Sequence, residues 1–202
     1  MKCLKLFFML FALSFYVNCT SDSESTNLET NSNSEKIQST VIANLQLEKQ
    51  VLEAKAIVEN LEHNVGGKLM GENLSIGTIE QNKLIFKSQE IETLVKAYFR
   101  LVALKSGNDS YFEDFNYLSA KNNEGFDMLI SSSYKIDSDE SVNVGIDLTI
   151  NKSDVVLKIN GSQVVCVGCR RGCNPRRDSD GDGYCTDCEI SNSNCTKSET
   201  GG

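Results

Sequence analysis

The chain has 202 residues and a formal charge of −8, with 28 acidic against 20 basic side chains. An acidic surface argues against nucleic acid as a partner, because phosphate backbones are held by Lys and Arg. One His, one Pro and no Trp leave few residues for His-based catalysis, whereas 40% apolar content is enough for a real core.

Residues 1–5 are short and basic, and residues 6–17 form an apolar run interrupted by Ser14 and Tyr16. This is the pattern of a secretory signal over residues 1–18, too short to span a bilayer. Cys19 follows at once. The layout resembles the lipobox of bacterial lipoproteins, although Asn18 is bulkier than the Gly, Ala or Ser usual before the cysteine. The resemblance implies palmitate-type lipidation of Cys19, a membrane anchor and an address in the outer membrane. The Ser- and acid-rich residues 20–25 resemble the signals that carry Bacteroidota lipoproteins to the cell surface. Residues 19–34 hold one large apolar residue, Leu28. They cannot bury enough surface to offset their ordering entropy, so a flexible tether is expected.

Residues 35–65 read as one long amphipathic helix without Gly or Pro, rich in Glu, Leu, Ala, Lys and Gln. Its apolar residues fall at heptad positions: Ile37, Val51, Val58 and Val65 in one set, Leu47, Ala54 and Leu61 in the other. Val41, Leu45, Leu52 and Ile57 lie off the stripe and are expected to broaden the apolar face. A broad face favours packing on the domain that follows; a homo-oligomeric coiled coil is the alternative. His63 falls on the outer side as a solvated residue. Gly66-Gly67 should cap the helix.

Residues 66–165 read as an α+β domain with an antiparallel sheet and a second helix. Residues 82–87 are strand-like. Ser88 offers an N-cap, with Glu90 and Glu92 in the first turn, and Ile91, Leu94, Val95, Tyr98, Leu101 and Val102 have helical spacing up to Gly107. Residues 111–118 are aromatic-rich and of no clear class. Strands are expected over 126–136, 142–150, 155–159 and 164–167, with turns at Asn151-Lys152-Ser153-Asp154 and Asn160-Gly161. Val144, Ile146, Leu148 and Ile150 alternate with small or polar residues, which predicts one buried and one wet face.

Residues 166–202 form a small Cys-rich module. Asp178-Ser179-Asp180-Gly181-Asp182-Gly183-Tyr184, closing at Glu189, fits the D-x-D-x-D-G-x5-E calcium spacing. Calcium takes six to eight oxygens. Asp178, Asp180 and Asp182 alternate so that a tight loop aims them inward; Gly183 is expected to take the sharp turn. Tyr184 would give a carbonyl, Thr186 a direct or water-mediated contact, and Glu189 both carboxylate oxygens, with Asp187 as a substitute. Gly172 and Pro175 rule out a regular entering helix, so the loop resembles the helix-less loops of thrombospondin type 3-like modules. That resemblance covers about twelve residues and implies calcium alone.

Cys166, Cys169, Cys173, Cys185, Cys188 and Cys195 are an even set, and in an exported chain imply three disulfides with fifteen possible pairings. The alternative is a zinc-ribbon-like site, from the fifteen-residue gap between Cys166-x2-Cys169 and Cys185-x2-Cys188. Arg170, Arg171, Arg176 and Arg177 abut the acidic loop. They balance its charge or form an adhesin-like patch for an anionic glycan or a surface protein. No Walker loop, G-x-S-x-G, H-E-x-x-H or dinucleotide fingerprint is present. The expected role is therefore non-enzymatic: a binding or structural protein of the envelope.

Overall fold

The computed structural model describes residues 30–67, 74–81, 83–120, 126–134, 138–152, 154–158, 163–189 and 194–200. The signal segment, Cys19 and the Asn160-Gly161 turn lie outside the described residues.

Helix α1 runs Thr30–Val65. It starts five residues before the expected boundary, so the end of the predicted tether is helical; extending an existing helix gains a hydrogen bond for each residue added. The helix passes from a first compact unit, Met1–Ser39, into a second, Thr40–Gly202. In the first unit Ile37 is exposed and Ser39 Oγ donates to the Lys36 carbonyl at 2.9 Å.

Every remaining element belongs to the second unit. Leu47, Val51, Ala54, Val58, Leu61 and Val65 of α1 join the main core, as the heptad spacing predicts. Val41, Leu45, Leu52 and Ile57 are exposed instead of broadening that face. On a helical wheel they point away from the stripe, and the helix makes contact along that one stripe. The end is a Schellman cap: Gly66 N–H donates to His63 O and Gly67 N–H to Glu62 O, with Gly66 at φ +65.

The α+β reading holds in outline. Strands β1 (Ser75–Glu80) and β2 (Lys83–Phe86) form a hairpin. Helix α2 (Gln89–Lys105) starts at the expected Ser88 cap, whose Oγ accepts from Ile91 N–H at 3.3 Å. A second Schellman pair ends it, Gly107 N–H to Leu104 O and Asn108 N–H to Ala103 O. Strands β3 (Phe115–Leu118), β4 (Met128–Tyr134), β5 (Glu140–Asn151), β6 (Asp154–Leu157) and β7 (Gln163–Cys169) follow, all paired antiparallel, and β10 (Thr196–Thr200) is the last strand of the sheet. Strand β1 carries little strand signature in its sequence, because Gly77 dilutes the apolar pattern. That glycine stands at a register shift against β6, and a Cβ there would lie 2.1 Å from the Ile85 carbonyl oxygen.

Strand β5 is twelve residues long and serves three neighbours. One edge pairs with β4; the other pairs with β7 over residues 140–145 and with β6 over 148–151. The β5–β6 pairing closes β1 to β6 into a six-stranded barrel, and β7 and β10 extend from it. Helix α2 buries eight of its 17 residues, Leu101 to Leu104 consecutively, and Phe99 meets the rings of Phe112 and Phe115 edge to face at 5.9 and 4.9 Å. Beside it, burial and the nearby Glu62 of α1 push the Tyr98 phenol up from its usual pKa.

Burial separates the two stripes of α1 in a testable way. Val58→Ala should destabilise the fold by about 2 kcal/mol through lost contacts and a cavity. Leu52→Ala should fall within about 0.5 kcal/mol of zero. Urea unfolding followed by circular dichroism measures both, and equal effects would contradict the assignment of the core face.

Candidate functional site

The Cys-rich residues build a β-hairpin. Strand β8 (Pro175–Arg177) pairs with β9 (Gly183–Cys185), residues 178–182 make the turn, and the ladder continues to a Gly172–Cys188 bridge. One disulfide set is realised: Cys166–Cys185, Cys169–Cys188 and Cys173–Cys195, with Cα separations of 5.8, 5.9 and 5.4 Å. The first two join residues 19 apart. The Cys-x2-Cys of β7 is thereby linked in step to the Cys-x2-Cys of the hairpin. Oxidised in this way, the four sulfurs offer no thiolate to zinc.

The hairpin lies on the outer face of β5. That face was expected to be wet, but Ser141 to Leu148 are buried on both sides. The module itself is the cover. Asn143 Nδ2 donates to the Cys173 carbonyl at 3.1 Å and to Ser141 Oγ at 2.9 Å, and Ser141 Oγ donates to the Cys169 carbonyl at 2.9 Å. Gly145 leaves room for Pro175, whose Cβ lies 2.8 Å from where a Gly145 side chain would start.

Arg177 closes the contact. Its Nε lies 2.7 and 2.8 Å from the two oxygens of Asp147, and Nη1 donates to the Gly181 carbonyl at 2.8 Å and to Glu199 at 3.1 Å. Arg177 is 3% and Asp147 7% exposed. Burial holds the Asp147 carboxyl above its ordinary pKa although Arg177 pulls the other way. Lys197 Nζ adds a bond to the Gly183 carbonyl at 2.8 Å. The acidic turn therefore sits on a fixed base.

Within the turn, Asp178 Oδ1 accepts from the N–H groups of Asp180 and Asp182 at 3.0 and 2.9 Å. The left-handed position is Gly181, φ +90, rather than the expected Gly183. Gly183 is buried in β9, where a Cβ would meet Val164 at 2.5 Å. Phe126 lies under Gly181, and Lys158 Nζ stands 5.5 Å from that ring's centre.

The expected calcium ligands are brought together only in part. Asp178, Asp180 and Asp182 share the turn. The exposed Tyr184 belongs to β9, opposite Arg176. Thr186 is engaged by the opposite strand: its Oγ1 accepts from Asn174 N–H and its carbonyl from Cys173 N–H. Glu189 donates its N–H to the Arg171 carbonyl. It lies six residues beyond Gly183, on the strand side that bridges Gly172 at Cys188. Pairing β9 with β8 unrolls the chain that a twelve-residue EF-type loop would curl back. Among the described residues, no group of three His, Cys, Asp or Glu stands ready to hold a metal.

The four arginines do not share one exposed surface. Arg170 and Arg171 are exposed, and the Arg170 guanidinium lies 5.7 Å from the Tyr134 ring centre. Arg176 is half-buried, and burial lowers its pKa. Arg177 is consumed by Asp147, Glu199 and the turn. An anion patch would thus rest on Arg170 and Arg171. His63 is exposed, as expected. Asp147 and Glu199 drew no notice in the sequence; a lone Asp within Val-Asn-Val-Gly-Ile-Asp-Leu was the available signal of a buried partner.

Comparison with protein families, with curated proteins and with solved structures gave no match to this chain.

The ion pair and the disulfides can each be tested. Asp147→Asn should cost about 3 kcal/mol of stability by leaving Arg177 without its main counter-charge. The double variant Asp147→Leu/Arg177→Met should cost less than the sum of its parts, as a denaturant double-mutant cycle will show. Non-reducing peptide mapping should return the three linkages given above. Removing the Cys173–Cys195 bridge by a double Ala change should lower stability by about 3 kcal/mol; an unchanged unfolding midpoint would refute its structural role.

Proposed function

We propose that this chain is an exported, lipid-anchored protein of the cell envelope with a binding or structural role, and that its C-terminal hairpin is a calcium-responsive display element. The observation that carries this reading is the pairing of all six C-terminal cysteines into three disulfides. Disulfides persist in oxidising compartments, in keeping with a signal over residues 1–18 and lipid on Cys19. The chemistry these bridges supply is that of a rigid scaffold.

Calcium enters this reading through the turn. The carboxylates of Asp178, Asp180 and Asp182 repel one another, and a hard cation relieves that repulsion with oxygen ligands. Asp178 Oδ1 already serves two backbone amides. Glu189 is held at the far end of the ladder, so affinity should be weak, on the order of 10⁻³ M, as for extracellular modules.

Native mass spectrometry of the oxidised protein tests the module. The expected mass is about six hydrogens below the thiol form, consistent with three disulfides, with one calcium added at millimolar concentration. Full-mass thiols carrying zinc would overturn it. Fractionation tests the anchor: Cys19→Ser should move the protein out of the membrane fraction, and retention there would remove the lipid from the account.

A further inference from the structure

Among the described residues the barrel is weakly paired between β2 and β3. Strand β2 is paired with β1 along its whole length. Two residues separate Glu80 from Lys83, which makes these the narrow hydrogen-bonded pair of a tight hairpin. Lys87 N–H donating to Ile76 O at 3.1 Å keeps the same phase. Lys83, Ile85 and Lys87 thus turn their backbone groups towards β1, and Leu84 and Phe86 turn theirs towards β3.

On that side the ladder has a single position, Lys83–Asn116. Beyond it the facing chain, residues 113–115, diverges. A groove of about 910 Å³ opens between the two segments and the first turn of α2. In a sheet whose other strands are paired over several residues, the Phe86 backbone faces this groove with no ladder partner among the described residues. Phe86 and Phe115, edge to face at 5.5 Å, keep the two walls apolar where they meet.

Three carboxylates, Glu92, Glu113 and Asp114, line the groove against one ammonium at its closed end, Lys83, and Glu92 and Glu113 share a further ammonium, Lys96. The two carboxylates hold the Lys96 pKa above its usual value, so that charge is already committed. Asp114 is exposed.

We propose that this seam is a docking groove for an extended, basic peptide segment of a partner protein, which adds as a strand against Leu84–Phe86. Its backbone would complete the ladder that β3 abandons. Lys or Arg side chains on the outer face would reach the exposed Asp114 beside Ile85, and the intervening side chains would face Glu92 and Glu113 on the α2 side. A helix has no backbone groups to offer this edge, and the carboxylates repel a phosphate chain.

The probe is a ten-residue peptide alternating Lys and Thr, titrated into the oxidised, ¹⁵N-labelled protein. The amides of Leu84, Phe86 and residues 113–116 should shift. N-methylation of alternate peptide residues should weaken binding at least about tenfold by removing its donors. Asp114→Lys should weaken it on the order of tenfold while leaving the spectrum dispersed. No shifts up to ~1 mM peptide, shifts centred elsewhere, or equal binding of the N-methylated peptide would each overturn the proposal. The last result would reduce the groove to a site of diffuse charge attraction. If Asp114→Lys does not fold, the N-methylated peptide decides alone.

Discussion

The contact between Arg177 and Asp147 is the constraint on which the arrangement of the C-terminal third depends. Two ions removed from water cost several kcal/mol each, and a buried pair recovers this only when its remaining donors and acceptors are satisfied. Arg177 meets that condition with two distant partners, Asp147 in β5 and Glu199 in β10, and a local one, the Gly181 carbonyl in the acidic turn. The carboxyl of Asp147 stays above its ordinary pKa even so. The pair therefore contributes placement more than net stability. It admits one position of the hairpin on the barrel, because any shift would strand a charge.

The same logic explains the outer face of β5. Asn143, Gly145 and Asp147 look like the wet side of a half-buried strand, and each has a partner in the module: the Cys173 carbonyl, Pro175 and Arg177. A polar residue on a strand is read as solvent-facing unless its partner is known, and here the partners stand some thirty residues later. Local signals fared better where the physics is local. Ser88, Gly66-Gly67 and Gly107 punctuate the helices as their side-chain and backbone preferences require. The heptad stripe of α1 chose the right face, while the added width assigned to it did not survive, because contact depends on what lies opposite. Strands β1 and β3 were obscured by a glycine required for close approach and by an aromatic run whose burial comes from α2.

The candidate site was legible in composition and not in shape. Cysteine parity and the spacing of Asp178, Asp180 and Asp182 are properties of the sequence. The choice among fifteen disulfide pairings, and the antiparallel ladder that carries Glu189 away from the turn, follow from how the module lies on β5 and β7. The arginines followed the same division: four neighbours in sequence became two exposed cations, one half-buried and one internal.

The disulfide pattern also bears on what happens when the chain is cut. Ser179, Asp180 and Asp182 of the acidic turn are exposed, and all three bridges straddle it, each joining a cysteine before residue 178 to one after residue 182. A peptide bond broken in the turn would release nothing. The two pieces would stay covalently joined and Arg177 would keep Asp147 and Glu199. A protein built this way tolerates nicking at that turn, and its intact size on a non-reducing gel carries no information about whether the turn is whole.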